Sequence, residues 1–215
     1  MSGTPLTIGQ IDRCGNAPAL DFVNTVHSRL EIDTHDYLQD YAALAQWARE
    51  GGLVSTGEHR ELVERAAAHP GMARRVLQRA IELREVMYRL FSSVIRGEDP
   101  MSSDVETLNK SLGAALSRRR VRRVGDAFDW SWDPGRDQLD RPLWPVILSA
   151  ADLLAAGDKR RLKECPAPDG CGWLFLDTSK NGTRKWCNMR TCGNIAKARR
   201  YYKRHSKNHP TDRGQ

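Results

Sequence analysis

The sequence predicts an α+β chain: a mostly helical N-terminal domain carrying one β-hairpin, then a small C-terminal unit organised by cysteines. Three observations carry this reading. Apolar residues recur at spacings of three and four through most of the N-terminal part, the signature of amphipathic helices. One stretch, Ser117 to Asp133, alternates instead, with Gly125-Asp126 at its centre, which is the pattern of two short strands and a turn. Four of the five cysteines, Cys165, Cys171, Cys187 and Cys192, form two close pairs near the C-terminus.

Residues 1–16 read as irregular. Pro18 to Leu30 reads as a first helix, with Leu20, Val23 and Val26 on one side. Asp21 and Asn24, three apart, share a face. Either they bond neighbouring backbone, the commoner outcome, or they line a pocket for a small-molecule ligand; they are the candidates for such contacts. A second helix is expected from Thr34 or His35, with Tyr37, Tyr41, Leu44 and Ala48 as its apolar side and Gly51-Gly52 as its stop. A third runs from Ser55 to His69 and ends at Pro70-Gly71. The longest follows, its stripe made by Val76, Ala80, Leu83, Met87, Leu90 and Val94, with Gly97 closing it. Ser103 with Glu106 suggests a capped helix through Leu116. In the alternating stretch, Arg118 to Arg120 and Arg122-Arg123 alternate with Val121 and Val124, and Phe128, Trp130 and Trp132 alternate with acids and Ser131, giving a hairpin with one aromatic face. This arginine strand could touch phosphates, but pairing with Asp129 and Asp133 is the commoner use. Arg141 to Ala156, with Pro142 in its first turn, is the last helix of the body.

The cysteine pairs enclose five and four residues, and fifteen separate them. Such spacing suits a tetrahedral zinc site, each pair giving two sulfurs from one tight turn. A disulfide framework is the alternative. Met1 to Gln10 has neither a basic start nor an apolar run, so no secretory signal is read and a reducing, cytoplasmic setting is expected. With four thiolates and no open position, the one zinc ion is expected to be structural. Gly172 to Leu176 reads as a strand, Asn181-Gly182 as a turn, Thr183 to Trp186 as the returning strand, and Ala196 to Arg204 as a helix. Knuckle, hairpin, and a second knuckle at a helix start are the plan of a treble-clef zinc finger. The expected boundaries are 1–158 for the body, 159–207 for the finger and 208–215 for a flexible tail.

The net charge of +7 is unevenly placed: residues 159–207 carry fourteen Lys or Arg against three acids, while residues 1–158 carry nineteen against twenty-three. A strongly basic finger on a mildly acidic body points to a polyanion, with DNA as the expected partner. The candidate nucleic-acid contacts are Lys180, Arg184 and Lys185 at the hairpin tip, with Arg190, Lys197, Arg199, Arg200, Lys203 and Arg204 on the knuckle and helix. RNA, or an acidic protein partner docking on a zinc-stabilised module, are the alternatives. No apolar run is long enough to span a membrane. The six histidines form no motif with Asp, Ser or Cys, and no Gly-rich phosphate loop is present, so an enzyme is not expected and no catalytic residue is assigned.

The stretch from Cys171 to Asn194 resembles the CGNR zinc finger, in which F-x-D-x-S-[RK]-N leads to W-C-x-M-x-x-C-G-N-R. Phe175, Asp177, Ser179, Lys180, Asn181, Trp186, Cys187, Met189, Cys192, Gly193 and Asn194 match, and Ile195 stands where the family has its arginine. The Leu20 to Thr25 segment, the Trp-then-Gly-Gly end of the second helix and the long Arg-rich helix resemble the ABATE domain that precedes such fingers. The resemblance implies a bacterial stress-related transcription regulator, with a DNA-binding finger and a ligand-sensing body.

Overall fold

A computed structural model describes residues 7–31, 34–133, 138–167 and 171–206. The expected tail at 208–215 and the first six residues of the irregular start lie outside the described residues. In chain order come α1 (Pro18–Val23), α2 (Tyr41–Glu50), α3 (Thr56–Ala68), α4 (Pro70–Arg96) and α5 (Ser102–Leu116), then a ribbon of β1 (Arg119–Val124) and β2 (Ala127–Trp132). After α6 (Trp144–Ala155), the C-terminal unit contains β3 (Leu162–Glu164), β4 (Leu174–Leu176) and α7 (Asn194–Ser206).

The spine is α4. Its stripe of Val76, Ala80, Leu83, Met87 and Leu90 is buried, and the helix packs against α1, α2, α3, α5 and β3. Gly97 ends it in the left-handed region at φ 68°, a conformation glycine adopts without the penalty a side chain brings. The ribbon forms as expected around Gly125-Asp126. Arg119, Val121 and Arg123 share one face with Trp132, Trp130 and Phe128, and the Arg119 guanidinium lies over Trp130 and Trp132 at 5.0 and 4.6 Å. Arg120 pairs with Asp133 at 3.4 Å, and Arg122 stands opposite Asp129 in register.

Several boundaries differ from expectation, some because a tertiary partner outcompetes local periodicity and some because a cap or a proline sets the helix start. The first helix stops at Val23, not Leu30. Thr25 Oγ1 donates to the Phe22 carbonyl at 2.7 Å, and Val26 instead bridges to Asp36 in antiparallel fashion. Residues 34–40 are correspondingly not helical; Tyr37 N donates to Thr25 O at 3.0 Å. The second helix begins at Tyr41, where Asp40 accepts from Ala43 N at 2.8 Å as its N-cap. Pro70 does not merely end α3; it is the first residue of α4, where its missing N–H costs nothing. The finger's strand at Leu174–Leu176 pairs backwards with Leu162–Glu164, not forwards with Thr183–Trp186. The latter segment's polar groups are already engaged: Lys163 Nζ donates to Gly182 O and Arg184 O at 2.6 and 3.0 Å, and Arg184 N donates to Asp177 Oδ2 at 2.8 Å.

Candidate metal centre and basic helix

The first two cysteines sit at the β3–β4 turn. Cys165 follows β3 and its N–H donates to Trp173 O at 2.8 Å, closing the turn that contains Cys171. Cys187 and Cys192 bracket a second turn, capped by Asn188, whose Oδ1 accepts from Arg190 N at 2.8 Å. A widened helical turn, Met189–Gly193, then runs directly into α7. At Gly193 a Cβ would lie 2.5 Å from Met189 Sδ, so a side chain there would displace the Met189 side chain.

The four Sγ atoms all lie within 4.8 Å of one another, with Cys171–Cys187 at 3.6 Å and Cys187–Cys192 at 3.5 Å. A tetrahedron with Zn–S bonds of about 2.3 Å has edges of about 3.8 Å, so the donor set fits one zinc ion. Three of the sulfur-bearing residues are buried and Cys171 is half-buried. Hydrogen bonds from the Cys171 and Cys187 thiols push Cys165 well below an ordinary thiol, while hydrogen bonding to Cys165 raises Cys171 and burial raises Cys192, so it takes a dication to make thiolates of all four. The chain holds one structural zinc ion, and its chemistry is to clamp the two turns together.

Behind the metal, Asp177 organises the polypeptide. It is fully buried and accepts from Lys163 Nζ at 2.6 Å, Ser179 Oγ at 2.6 Å, Ser179 N at 2.9 Å and Arg184 N at 2.8 Å. Burial opposes its ionisation, but these donors outweigh burial and hold the carboxyl well below the usual range. Arg161 adds bonds to Asp177 O and Ser179 O at 2.9 and 2.8 Å. The sequence reading assigned neither Lys163 nor Arg161 a part; both looked like members of the basic cluster.

The finger is joined to the body along one continuous seam. Leu162 and Leu174 lie in the main hydrophobic core. Asn24, fully buried, donates to Leu174 O at 2.8 Å and accepts from Leu174 N at 2.9 Å. Trp173 Nε1 donates to Val26 O at 2.7 Å, Arg29 N to Cys171 O at 2.9 Å and Leu176 N to Gly15 O at 2.8 Å. Gly15 permits this approach, since a Cβ there would lie 2.8 Å from Asp21 N. Asp21 accepts from Gly15 N at 2.8 Å, and burial raises its pKa from 3.8 to about 6 against the lowering effect of that bond and of Arg13 and Arg184.

With this architecture in view, the comparisons with known proteins are specific. A family model named ABATE and described as "Putative stress-induced transcription regulator" matches residues 16–157. The chain belongs to the ABATE family. The CGNR zinc finger follows it, matched over residues 161–205, so this ABATE chain has the body-then-finger order that the motifs implied. Neither family is described as an enzyme. No curated protein matches the chain. No helix among the described residues is long and apolar enough to cross a membrane.

The candidate contact residues separate into two groups. Arg184 is turned inward: its guanidinium donates to Trp186 O and Cys14 O at 3.0 and 2.9 Å and to Cys187 O, and lies 4.5 Å over the Phe175 ring. Lys180, Lys185, Arg190, Lys197, Arg199, Arg200, Lys203 and Arg204 are exposed, although Lys185 rests over Trp186 at 5.4 Å. Of the two ligand candidates, Asn24 spends both halves of its amide on Leu174, while Asp21 is half-buried.

Proposed function

We propose that this ABATE protein is a DNA-binding regulator whose α7 supplies the phosphate contacts, and whose body biases them by sensing a small molecule. The observation that carries the DNA half is the condition of α7. From Asn194 to Ser206 it holds five Lys or Arg and no acid, and every side chain from Lys197 to His205 is exposed. Among the described residues no salt bridge reaches Lys197, Arg200, Lys203 or Arg204. A helix with no buried stripe is marginal by itself, and like charges lower its stability further. A polyanion relieves both deficits. The helix is about 20 Å long, and the roughly 12 Å major groove admits one. Lys197, Arg200 and Arg204, at i, i+3 and i+7, form a track for one phosphate strand, with Lys180, Lys185 and Arg190 flanking. Contacts of this kind give affinity and salt dependence before sequence choice.

The test is fluorescence anisotropy of zinc-loaded protein on duplex DNA as salt is varied. Arg200→Ala with Arg204→Ala should weaken binding at all sequences and flatten the log–log salt slope by about 2. An unchanged slope removes α7 as the DNA face. Stronger competition by structured RNA than by duplex DNA would reassign the partner.

A further inference from the structure

We infer that the cavity where the body meets the cysteine cluster is a binding site for a small organic cation, an amine or amidine on an apolar frame. This assignment rests on reading the body as a sensor and gives that sensor a location. The cavity measures about 250 Å³, room for about eight waters. The body contributes Asp12, His27 and Tyr37; the finger contributes Trp173, Thr191 and Ile195; three of the zinc-binding cysteines, Cys171, Cys187 and Cys192, border it.

Charge decides the ligand class. Four thiolates around a dication leave a double negative charge on one wall. Asp12 adds a carboxylate, and no Lys or Arg is among the described residues that line the space. An anion would be repelled from two sides. A cation is attracted from both, and the rings of Trp173 and Tyr37 favour it further. Several of the wall's polar groups are already engaged. Trp173 Nε1 donates to Val26 O at 2.7 Å, the Tyr37 hydroxyl and His27 Nδ1 satisfy each other at 2.8 Å, and Asn188 Nδ2 donates to Asp12 Oδ2. The Gln10 amide nitrogen, the Thr191 hydroxyl and the remaining proton of the His27–Tyr37 pair can still donate, so the charged acceptors, Asp12 and the sulfurs, are what select a cation.

Ile195 makes the site particular to this chain. It is the position at which the finger departs from its motif, and it forms an apolar part of the wall. An arginine there would bring a guanidinium to the same carboxylate and thiolates and occupy the cation's place. The site also spans both units, since Asp12 and His27 belong to the body while Thr191 and Ile195 lie in the knuckle and the first turn of α7.

Titration calorimetry of the zinc-loaded full chain with 2-phenylethylammonium tests this, with 3-phenylpropionate as an anion of similar size. Saturable binding of the amine is expected, with the carboxylate at least about ten-fold weaker. Asp12→Asn and Ile195→Arg should each weaken the amine about ten-fold or more, with zinc content and Tm unchanged. Equal binding of amine and carboxylate, no amine binding up to roughly 10 mM, or full affinity in both variants would overturn the site. DNA affinity is measured separately with and without the amine. Amine binding that leaves DNA affinity unmoved would overturn the sensor reading and leave the site standing. Normal DNA binding by a chain that ignores the amine would overturn the site alone.

Discussion

Replacing Asn24 by alanine should loosen the whole C-terminal unit. The Asn24 amide stands in for a third strand beside β4, meeting both the N–H and the carbonyl of Leu174, and both residues are fully buried. Leu174 stands opposite Glu164 as a non-hydrogen-bonded pair, the bond toward β3 being made next door by Cys165 N to Trp173 O, so β3 offers the Leu174 N–H and carbonyl no replacement for Asn24. Alanine would leave one donor and one acceptor without partners in a dry interface, each costing about 1–3 kcal/mol. Together that is about 2–6 kcal/mol, or roughly 4–24 °C in Tm for a chain of this size. Scanning calorimetry reads the shift, and the rate of zinc transfer to a chromogenic chelator should rise with it, because β4 forms one arm of the knuckle. Asn24→Asp is the sharper comparison. It keeps the acceptor for Leu174 N but sets a carboxylate against the Leu174 carbonyl in a buried place, so it should destabilise more than alanine. A Tm within about 2 °C of the parent for both variants would refute this account and return Asn24 to the ligand candidates.

Other outcomes follow from the same geometry. A strong chelator should remove one zinc per chain and expose the finger's basic loop to trypsin between Lys180 and Arg190 while α4 stays helical by circular dichroism; protein purified without metal yet resistant there would contradict the structural zinc, worth about 10 kcal/mol in small fingers. For Asp21 the sign is set by its raised pKa: the folded state holds the proton more tightly than the unfolded chain, so stability falls as pH rises from about 4 to about 6 and stays lowered above that. Asp21→Asn keeps an acceptor for Gly15 N and loses the penalty, so it should melt higher than the parent at pH 7.5, by at most about 3 kcal/mol, with the difference shrinking toward pH 5; parallel Tm–pH curves would contradict this. Arg84, only 3% exposed in its side chain, is held by Asp36 at 2.7 Å and Glu85 at 2.8 Å, so Asp36→Asn should lose at least about 2 kcal/mol in urea unfolding, and an unaltered midpoint would count against a buried pair.

What could be read from the sequence was whatever depends on short-range spacing. The α4 stripe, the Gly125-Asp126 turn and the two cysteine pairs are each decided within a few residues, and the structure keeps all three. What the sequence concealed depends on partners far along the chain. Arg84 lies at a polar position of a helix and gives no sign that Asp36 waits 48 residues earlier. The Pro18–Leu30 periodicity was real, yet Asn24 and Val26 were claimed by Leu174 and Asp36, and the helix ended where they began. Lys163, Arg161 and Arg184 look like phosphate ligands by composition, but carbonyls and Asp177 use them up. One clue could have shown this: Asp177 is an acid at the centre of a basic segment, and a carboxylate in such a place gathers cations inward.

The seam between the units limits how any signal can pass. Bonds from Asn24, Arg29, Trp173, Leu176 and Arg184 cross it, and at about 1 kcal/mol net each they oppose separation by roughly 5–7 kcal/mol, before the burial of Leu162 and Leu174 is counted. A typical effector supplies only about 1–3 kcal/mol of coupling. It cannot swing the finger away from the body as a hinged unit. What it can move is the part of the finger that crosses the seam by fewer bonds, the Asn188–Ile195 knuckle, whose bond to the body runs from Asn188 to Asp12. That knuckle sets the first turn of α7. A cation bound to the second Asp12 oxygen would therefore act, among the described residues, beside the bond that ties this knuckle to the body, where a small gain in contact free energy can redirect the basic helix while the zinc and the core remain as they are.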